Sequence, residues 1–333
     1  MMTKCLGALL SSSLLLLSSL ALAAPIERTI CVFDIAGNMG PVMTTMKDWQ
    51  IAALGWGLKA TLNGYTNEAV AAEDLKAGVC DAALITGLRG RQFNKYAGTI
   101  DSIGSIPTMK HMKILLKVLA DPRSADKLVA NSYEVMGIAP IGAAYLFVND
   151  RSINTLAKAA GKKVAVLDFD PTQAIMVAQV GATPIPSDIT NFAGKFNNGT
   201  VDIIAAPLVA YNVLELYKGL QPDGGIIDYP LLQLSLQLIG KDDRFPPEIA
   251  QKSREYFFHN LDRLLEQVRK EAEAVNPKWW VDIPEADKRE YEVMMHDGRQ
   301  QLREQGYYDA SMLALLQKIR CKVSPSRAEC TKG

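Results

Sequence analysis

Hydrophobic positions along the chain fall into two kinds of run. Short β-branched or small apolar runs read as strands buried on both faces, and longer stretches with apolar residues three and four apart read as helices. "RTICVFDI" (28–35) is a strand that stops at the Gly37-Asn38 and Gly40-Pro41 turn signals. Helical spacing follows from 41 to about 60, with Met43, Met46, Ile51, Leu54 and Leu58 on the apolar side. A short extended segment over 62–66 leads to Asn67, a helix cap with Val70 and Leu75 behind it, and Gly78 closes that helix before the strand "DAALIT" (81–86). The second half repeats the order. "KKVAVLD" (162–168) is a strand, 171–180 a helix opened by Asp170-Pro171, and "ATPIP" (182–186) a short strand. Asp188 caps a helix ending near Gly199, and "VDIIAAP" (201–207) closes the unit.

The repetition extends to a phrase. Leu75, Gly78 and Asp81 in "LKAGVCDAALIT" match Phe196, Gly199 and Asp202 in "FNNGTVDIIAAP". Each copy is the joint where a helix ends on a glycine and a buried strand begins. Two β-α-β-α-β units are therefore expected. The long extended stretches 133–149 and 224–240 lie between and after them, as two crossover strands forming a hinge. From 247 the pattern is amphipathic and helical, over 247–274, 284–305 and 310–320, interrupted at "NPKWWVDIP". Alternating charges there read as solvated helix faces and not as a nucleic-acid arm.

The N-terminus places the chain. Residues 1–23 carry Lys4, a leucine-rich core and the small-residue exit Ala21-Leu22-Ala23, with no acidic side chain. That is the layout of a secretory signal peptide cut after Ala23, and no later window has the apolar length of a membrane span. The mature protein is expected in the periplasm, off the membrane. Over the whole chain 36 Lys and Arg balance 36 Asp and Glu. There is no basic field to attract nucleic acid or an anionic membrane. Cys31, Cys80, Cys321 and Cys330 remain after cleavage, an even number in an oxidising compartment. Three pairings are possible. Cys31 and Cys80 border two buried runs while Cys321 and Cys330 flank a short Pro/Ser segment, so Cys31–Cys80 and Cys321–Cys330 are expected.

Enzyme signatures are missing: the chain contains no G-x-G-x-x-G, Walker A, H-E-x-x-H or G-x-S-x-G. His111, His259 and His296 each stand alone in helical segments. No enzyme activity, cofactor or metal is expected.

The segment "GKKVAVLDFDPTQAIMVAQVGATPIPSDITNFAGKFNNGTVDIIAAP" resembles the second lobe of the DctP-type solute receptors that serve tripartite periplasmic (TRAP) transporters. The matching positions are Gly161, Val164, Val166, Gly181, Ala182, Pro184, Gly199, Val201 and Asp202. "TGLRGRQFNKYAGTIDSIGSIPTMKH" and "GAAYLFVNDRSI" are similar to the AdeT-type solute-binding proteins, a group linked by name to aminoglycoside efflux. The resemblance covers most of the mature chain. It implies an α/β, two-lobe periplasmic-binding-protein-like fold with crossover strands and a helical C-terminal region. The parts are a leader over 1–23, lobe one over 24–136, lobe two over 137–230, and a return strand with C-terminal helices over 231–333. The function implied is capture of a small solute and delivery to inner-membrane transporter subunits. An accessory protein of an envelope efflux system, docking through its C-terminal helices, and an exported enzyme are the alternatives.

One departure bears on the ligand. Where the DctP-type pattern implies an arginine that clamps a carboxylate, this chain has Ala165. Ligands of open α/β sheets meet strand carboxyl ends, which makes 34–38, 86–91, 168–170 and 206–207 the expected cleft, with Tyr211 one turn further on. The candidates are Asn38, Thr86, Arg89, Arg91, Asp168, Asp170, Pro207 and Tyr211. Arg89 and Arg91 are either a replacement anion clamp or solvated loop arginines. Asp168 and Asp170 suit an amine, though Asp170 also suits a helix cap, and Tyr211 suits packing as well as stacking on a ligand.

Overall fold

The computed structural model describes residues 24–330, so the leader expected over 1–23 lies outside the described residues. The first unit runs β1 (Ile26–Phe33), α1 (Pro41–Leu54), β2 (Leu58–Tyr65), α2 (Glu68–Ala77) and β3 (Ala82–Thr86). Short helices α3 (Gly87–Gly90) and α4 (Lys95–Gly98), then α5 (Met109–Ala120) and β4 (Val129–Ala130), lead into the long strand β5 (Tyr133–Val148). After α6 (Leu156–Ala159) the second unit runs β6 (Lys163–Leu167), α7 (Pro171–Gln179), β7 (Thr183–Ser187), α8 (Phe192–Asn197) and β8 (Ile203–Pro207). It is followed by α9 (Val209–Val213), β9 (Gly225–Ile227) and β10 (Leu232–Lys241). The chain ends with α10 (Pro247–His259), α11 (Leu261–Glu273), β11 (Trp280–Val281), α12 (Glu285–Glu304) and α13 (Ala310–Val323).

One sheet runs through both lobes in the order β2-β1-β3-β10-β5-β8-β6-β7. Within each lobe the strands are parallel, and the crossover strands β10 and β5 lie antiparallel to β3 and β8 and to each other. Each lobe thus carries the returning strand at the same edge.

The repeated phrase is one joint built twice. Gly78 and Gly199 both take the left-handed conformation, φ +79° and +75°, just past α2 and α8. The Asp81 amide then donates to Thr29 O while its Oδ2 accepts from Thr29 N, both at 2.8 Å. Asp202 does the same with Lys163, again at 2.8 Å and 2.8 Å. Even the third partner matches, because Lys241 N reaches Asp81 O and Asn149 N reaches Asp202 O, each at 3.0 Å. The aspartate therefore binds the first strand of its own lobe through both main chain and side chain.

Four boundaries differ from the sequence reading. The helix expected over 41–60 stops at Leu54, because Gly55 and then Gly57, at φ +86°, turn the chain into an eight-residue β2. Its buried face is Met43, Met46, Trp49 and Ala53, leaving Ile51 73% and Leu54 54% exposed. The stretch 224–240 is two strands split near Tyr229-Pro230, since proline lacks the N–H a ladder needs. Residues 247–274 are two helices broken at Asn260. The helix assigned to Asp188 begins at Phe192 instead, because the Asp188 carboxylate is taken by Thr190 N and Oγ1 in a turn.

Both expected disulfides are present, with Cα–Cα separations of 5.9 Å for Cys31–Cys80 and 5.4 Å for Cys321–Cys330. The first binds β1 to the turn before β3 at fully buried positions. At mid-sheet the β5–β10 register jumps from Leu234↔Gly142 to Ser235↔Pro140, leaving Ile141 as the extra residue of a bulge. Gly142 is at φ +97°, and a Cβ there would lie 3.1 Å from Val268 of α11. Helix α11 crosses β5 here, with Leu264 and Leu265 against the lobe-one core and Ala272 against the lobe-two core.

Candidate functional site

Strands β1, β3, β6 and β8 end facing the bulge, and between the lobes they enclose a cavity of about 580 Å³. That volume suits a small ligand. Its floor includes Ile141 and Leu234, and α11 closes one side with Leu264 and Val268.

Lobe one supplies most of the polar groups. Asp34, at the end of β1, accepts from Ala36 N at 2.9 Å and Met43 N at 3.0 Å, tying the turn to the first turn of α1. Gly40 permits this, because a Cβ there would fall 2.1 Å from the Asp34 carboxylate. Glu68 opens α2 beside the tip of β3 and is fully buried. Its Oε2 accepts from Thr86 Oγ1 at 2.8 Å and Thr86 N at 3.2 Å. Burial pushes its carboxyl above the ordinary range, against the pull of Arg89 and Thr86. Asp101 accepts from Ser235 Oγ at 2.7 Å and Ser235 N at 3.0 Å, yet burial raises it to about 7.

Lobe two is mostly apolar, with Val164, Ala165, Val166, Met176 and Phe192 on the wall. Its one carboxylate there, Asp170, caps α7 by accepting from Thr172 Oγ1 at 2.7 Å and Thr172 N at 3.2 Å. The same oxygen takes Arg91 Nη1 from lobe one at 3.0 Å. A second contact crosses the cleft beside it, where the Arg89 guanidinium stacks 3.6 Å from the centroid of the Phe169 ring.

Of the residues singled out from the sequence, Thr86, Asp170 and Pro207 line the cavity. Arg89 and Arg91 stand at its margin, buried or nearly so, in the two inter-lobe contacts. Asn38 and Asp168 are exposed and off the wall. Tyr211 is 6% exposed, packed edge-on against Tyr217 in the lobe-two core. Glu68 and Asp101 also line the cavity. The only local signal for Glu68 is its place directly after the cap Asn67. Asp101 has none, since its partner Ser235 comes 134 residues later. Among the described residues no group of three His, Cys, Asp or Glu is placed to hold a metal, and no helix is long and apolar enough to cross a membrane.

Comparison with known proteins shows a known fold. The chain resembles a TRAP periplasmic solute-binding protein from Desulfovibrio salexigens, solved with bound orotic acid, at a TM-score of 0.74. Identity is 14%, covering 90% of this chain and 99% of that one. A protein of the same kind from Shewanella oneidensis, solved with succinate, gives 0.71 at 11% identity, covering 89% and 99%. These likenesses show the two-lobe fold. In sequence the chain is 45% identical to the probable solute-binding protein AdeT1 of Acinetobacter baumannii, over 90% of this chain and 98% of that protein. It is 30% identical to the probable solute-binding protein AdeT2 of the same organism, over 70% and 98%. The family model described as solute-binding protein AdeT 1/2 matches residues 28–333, and the chain belongs to that family.

Proposed function

We propose that this protein is an exported receptor that takes a small solute into the inter-lobe cavity and delivers it to transporter subunits in the inner membrane. The observation that carries the reading is the cavity itself, built from the strand ends of both lobes over a bulged pair of crossover strands. We divide the chain at 1–23, 24–136, 137–230 and 231–333, the leader being removed on export to the periplasm. Thr86, Asp170 and Pro207 are assigned to the ligand wall, and Arg89 and Arg91 to holding the lobes together. Solute-binding proteins are in general not enzymes, and binding is the activity assigned here. The efflux-accessory reading gains no observation: the apolar sides of α11, α12 and α13 are packed against the lobes through Leu265, Leu302 and Leu316.

The test is a thermal-shift screen of residues 24–333 against carboxylates, amino acids, sugars, polyamines and aminoglycosides, followed by small-angle scattering with any ligand found. A solute at a hundred times its Kd stabilises the folded state by about 2.7 kcal/mol. One saturable class with a more compact bound form is expected. No stabilisation by any solute, before and after refolding to remove a copurified one, overturns the receptor reading.

A further inference from the structure

We propose that the cavity selects a ligand with an apolar body and a cationic N–H donor, an amine and not a carboxylate, and that Glu68 Oε1 receives that donor. This rests on the receptor reading above.

Most charged groups on the wall are already committed to partners within the protein. Asp34, Glu68, Asp101 and Asp170 all line the cavity. Both oxygens of Asp34 are occupied by the backbone N–H groups of Ala36 and Met43. Those of Asp101 are occupied by Ser235, and Oδ1 of Asp170 by Arg91 and Thr172. Glu68 differs. Its Oε2 is held by Thr86, while Oε1 accepts no hydrogen bond although the side chain is wholly buried. Arg89 Nε lies 3.3 Å from Oε1, inside ion-pair distance, yet neither atom makes a hydrogen bond with the other. The guanidinium face is instead committed to Phe169. A buried acceptor left open in this way favours a guest that brings a donor, and a cationic donor in contact with Oε1 holds the carboxyl in its charged form against the burial that opposes it.

The wall disfavours an anion. The one arginine on the wall, Arg263, is paired with Asp48 on the surface side of α11, and Glu271 adds a further carboxylate nearby. Arg91 Nη2 is unpartnered, but Arg91 is not on the wall and already serves Asp170. Lobe two presents Val164, Ala165, Val166 and Phe192, which suit an aliphatic or aromatic body. A carboxylate would lose water to enter and find five acids and hydrocarbon in exchange.

The experiment uses residues 24–333 and a matched series: linear alkyl and phenylalkyl amines of four to ten carbons, with the alcohols and carboxylates of the same skeletons. Titration calorimetry gives affinities for the intact protein and for Glu68→Gln, which keeps the side-chain volume and the Thr86 contact. Expected is a best amine at least tenfold tighter than its alcohol, a carboxylate weaker than both, and a tenfold or greater loss of amine binding in Glu68→Gln with alcohol binding unchanged. Retained alcohol binding shows that the variant is folded. A carboxylate tighter than its amine overturns the proposal, as does amine binding that Glu68→Gln leaves intact or a loss shared equally by amine and alcohol. Silence of every amine while another solute class in the screen binds overturns this proposal and leaves the receptor reading. Silence of all solutes overturns both.

Discussion

In lobe one, β1 runs beside β2 over the full eight residues of each strand and is fastened to the β3 turn by Cys31–Cys80. In lobe two, the corresponding β6 pairs with β7 from Lys163 to Leu167 and touches β8 only at Val164 and Ala165, and no disulfide holds it. The joint between helix and strand is nonetheless the same in both, down to the residue that each aspartate grips. The cavity walls differ as much as the joints agree. Lobe one brings Asp34, Glu68 and Asp101, and lobe two brings hydrocarbon and Asp170. The backbone repeat sets where strands end, and what is placed on those ends is free to diverge, which is how one duplicated unit makes a polar wall and an apolar one.

The equivalence of the two joints can be tested at their apolar anchors. Leu75 and Phe196 sit three residues before their glycines, 0% and 1% exposed, and the Phe196 ring lies 2.4 Å from where a Cβ on Gly219 would stand. Phe196→Ala is expected to lower stability by about 3–5 kcal/mol and Leu75→Ala by about 2–5 kcal/mol, read by urea denaturation. Because β5 and β10 join the lobes in one sheet, each variant is expected to unfold in a single shifted transition. A two-step curve for Phe196→Ala would show lobe two parting from a disulfide-held lobe one.

The asymmetry is tested by removing that disulfide. Cys31→Ala with Cys80→Ala opens a loop of sequence separation 49 and is expected to cost on the order of 2–4 kcal/mol. The Cys321–Cys330 pair closes a separation of only 9, so its removal is expected to cost less in the same denaturation experiment. Equal losses would mean that loop length does not set what each bridge contributes.

Next in size come the aspartates. Asp81→Ala and Asp202→Ala each leave one strand N–H without its charged acceptor, at about 1.5–3 kcal/mol. The half-exposed Arg244 that also meets Asp81 at 2.9 Å adds little. The two losses are therefore expected to agree to within about 1 kcal/mol on that scale. A loss confined to one lobe would show that the shared geometry does not carry shared energetics.

The duplicated joint was legible in the sequence because glycine, aspartate and a β-branched run each have a local physical reason for their place. The end of α1 was not, because Leu58 falls four residues after Leu54 and so extends a helical period that Gly55 and Gly57 interrupt. The cavity follows the same division. Thr86, Asp170 and Pro207 stand at strand ends, which topology alone fixes. Glu68 and Asp101 reach the wall only through tertiary pairing with Thr86 and Ser235, and no local pattern announces that.

The last expected effect concerns pH. Burial raises Asp101 to about 7, and Glu68 is shifted in the same direction. A carboxyl raised above its unfolded value binds its proton more tightly in the folded state. The stability it contributes is therefore complete below about pH 4, where the unfolded chain is also protonated, and is lost as pH rises through 7. Asp101→Asn removes that titration while keeping an acceptor for Ser235 N and gaining a donor for Ser235 Oγ. Melting curves at pH 5 and pH 8 are expected to show a smaller fall in Tm for Asp101→Asn than for the unaltered protein. Arg91 and Asp170 act on Asp101 in opposite senses. If Asp101→Asn leaves the slope unchanged, the pH response does not originate at Asp101.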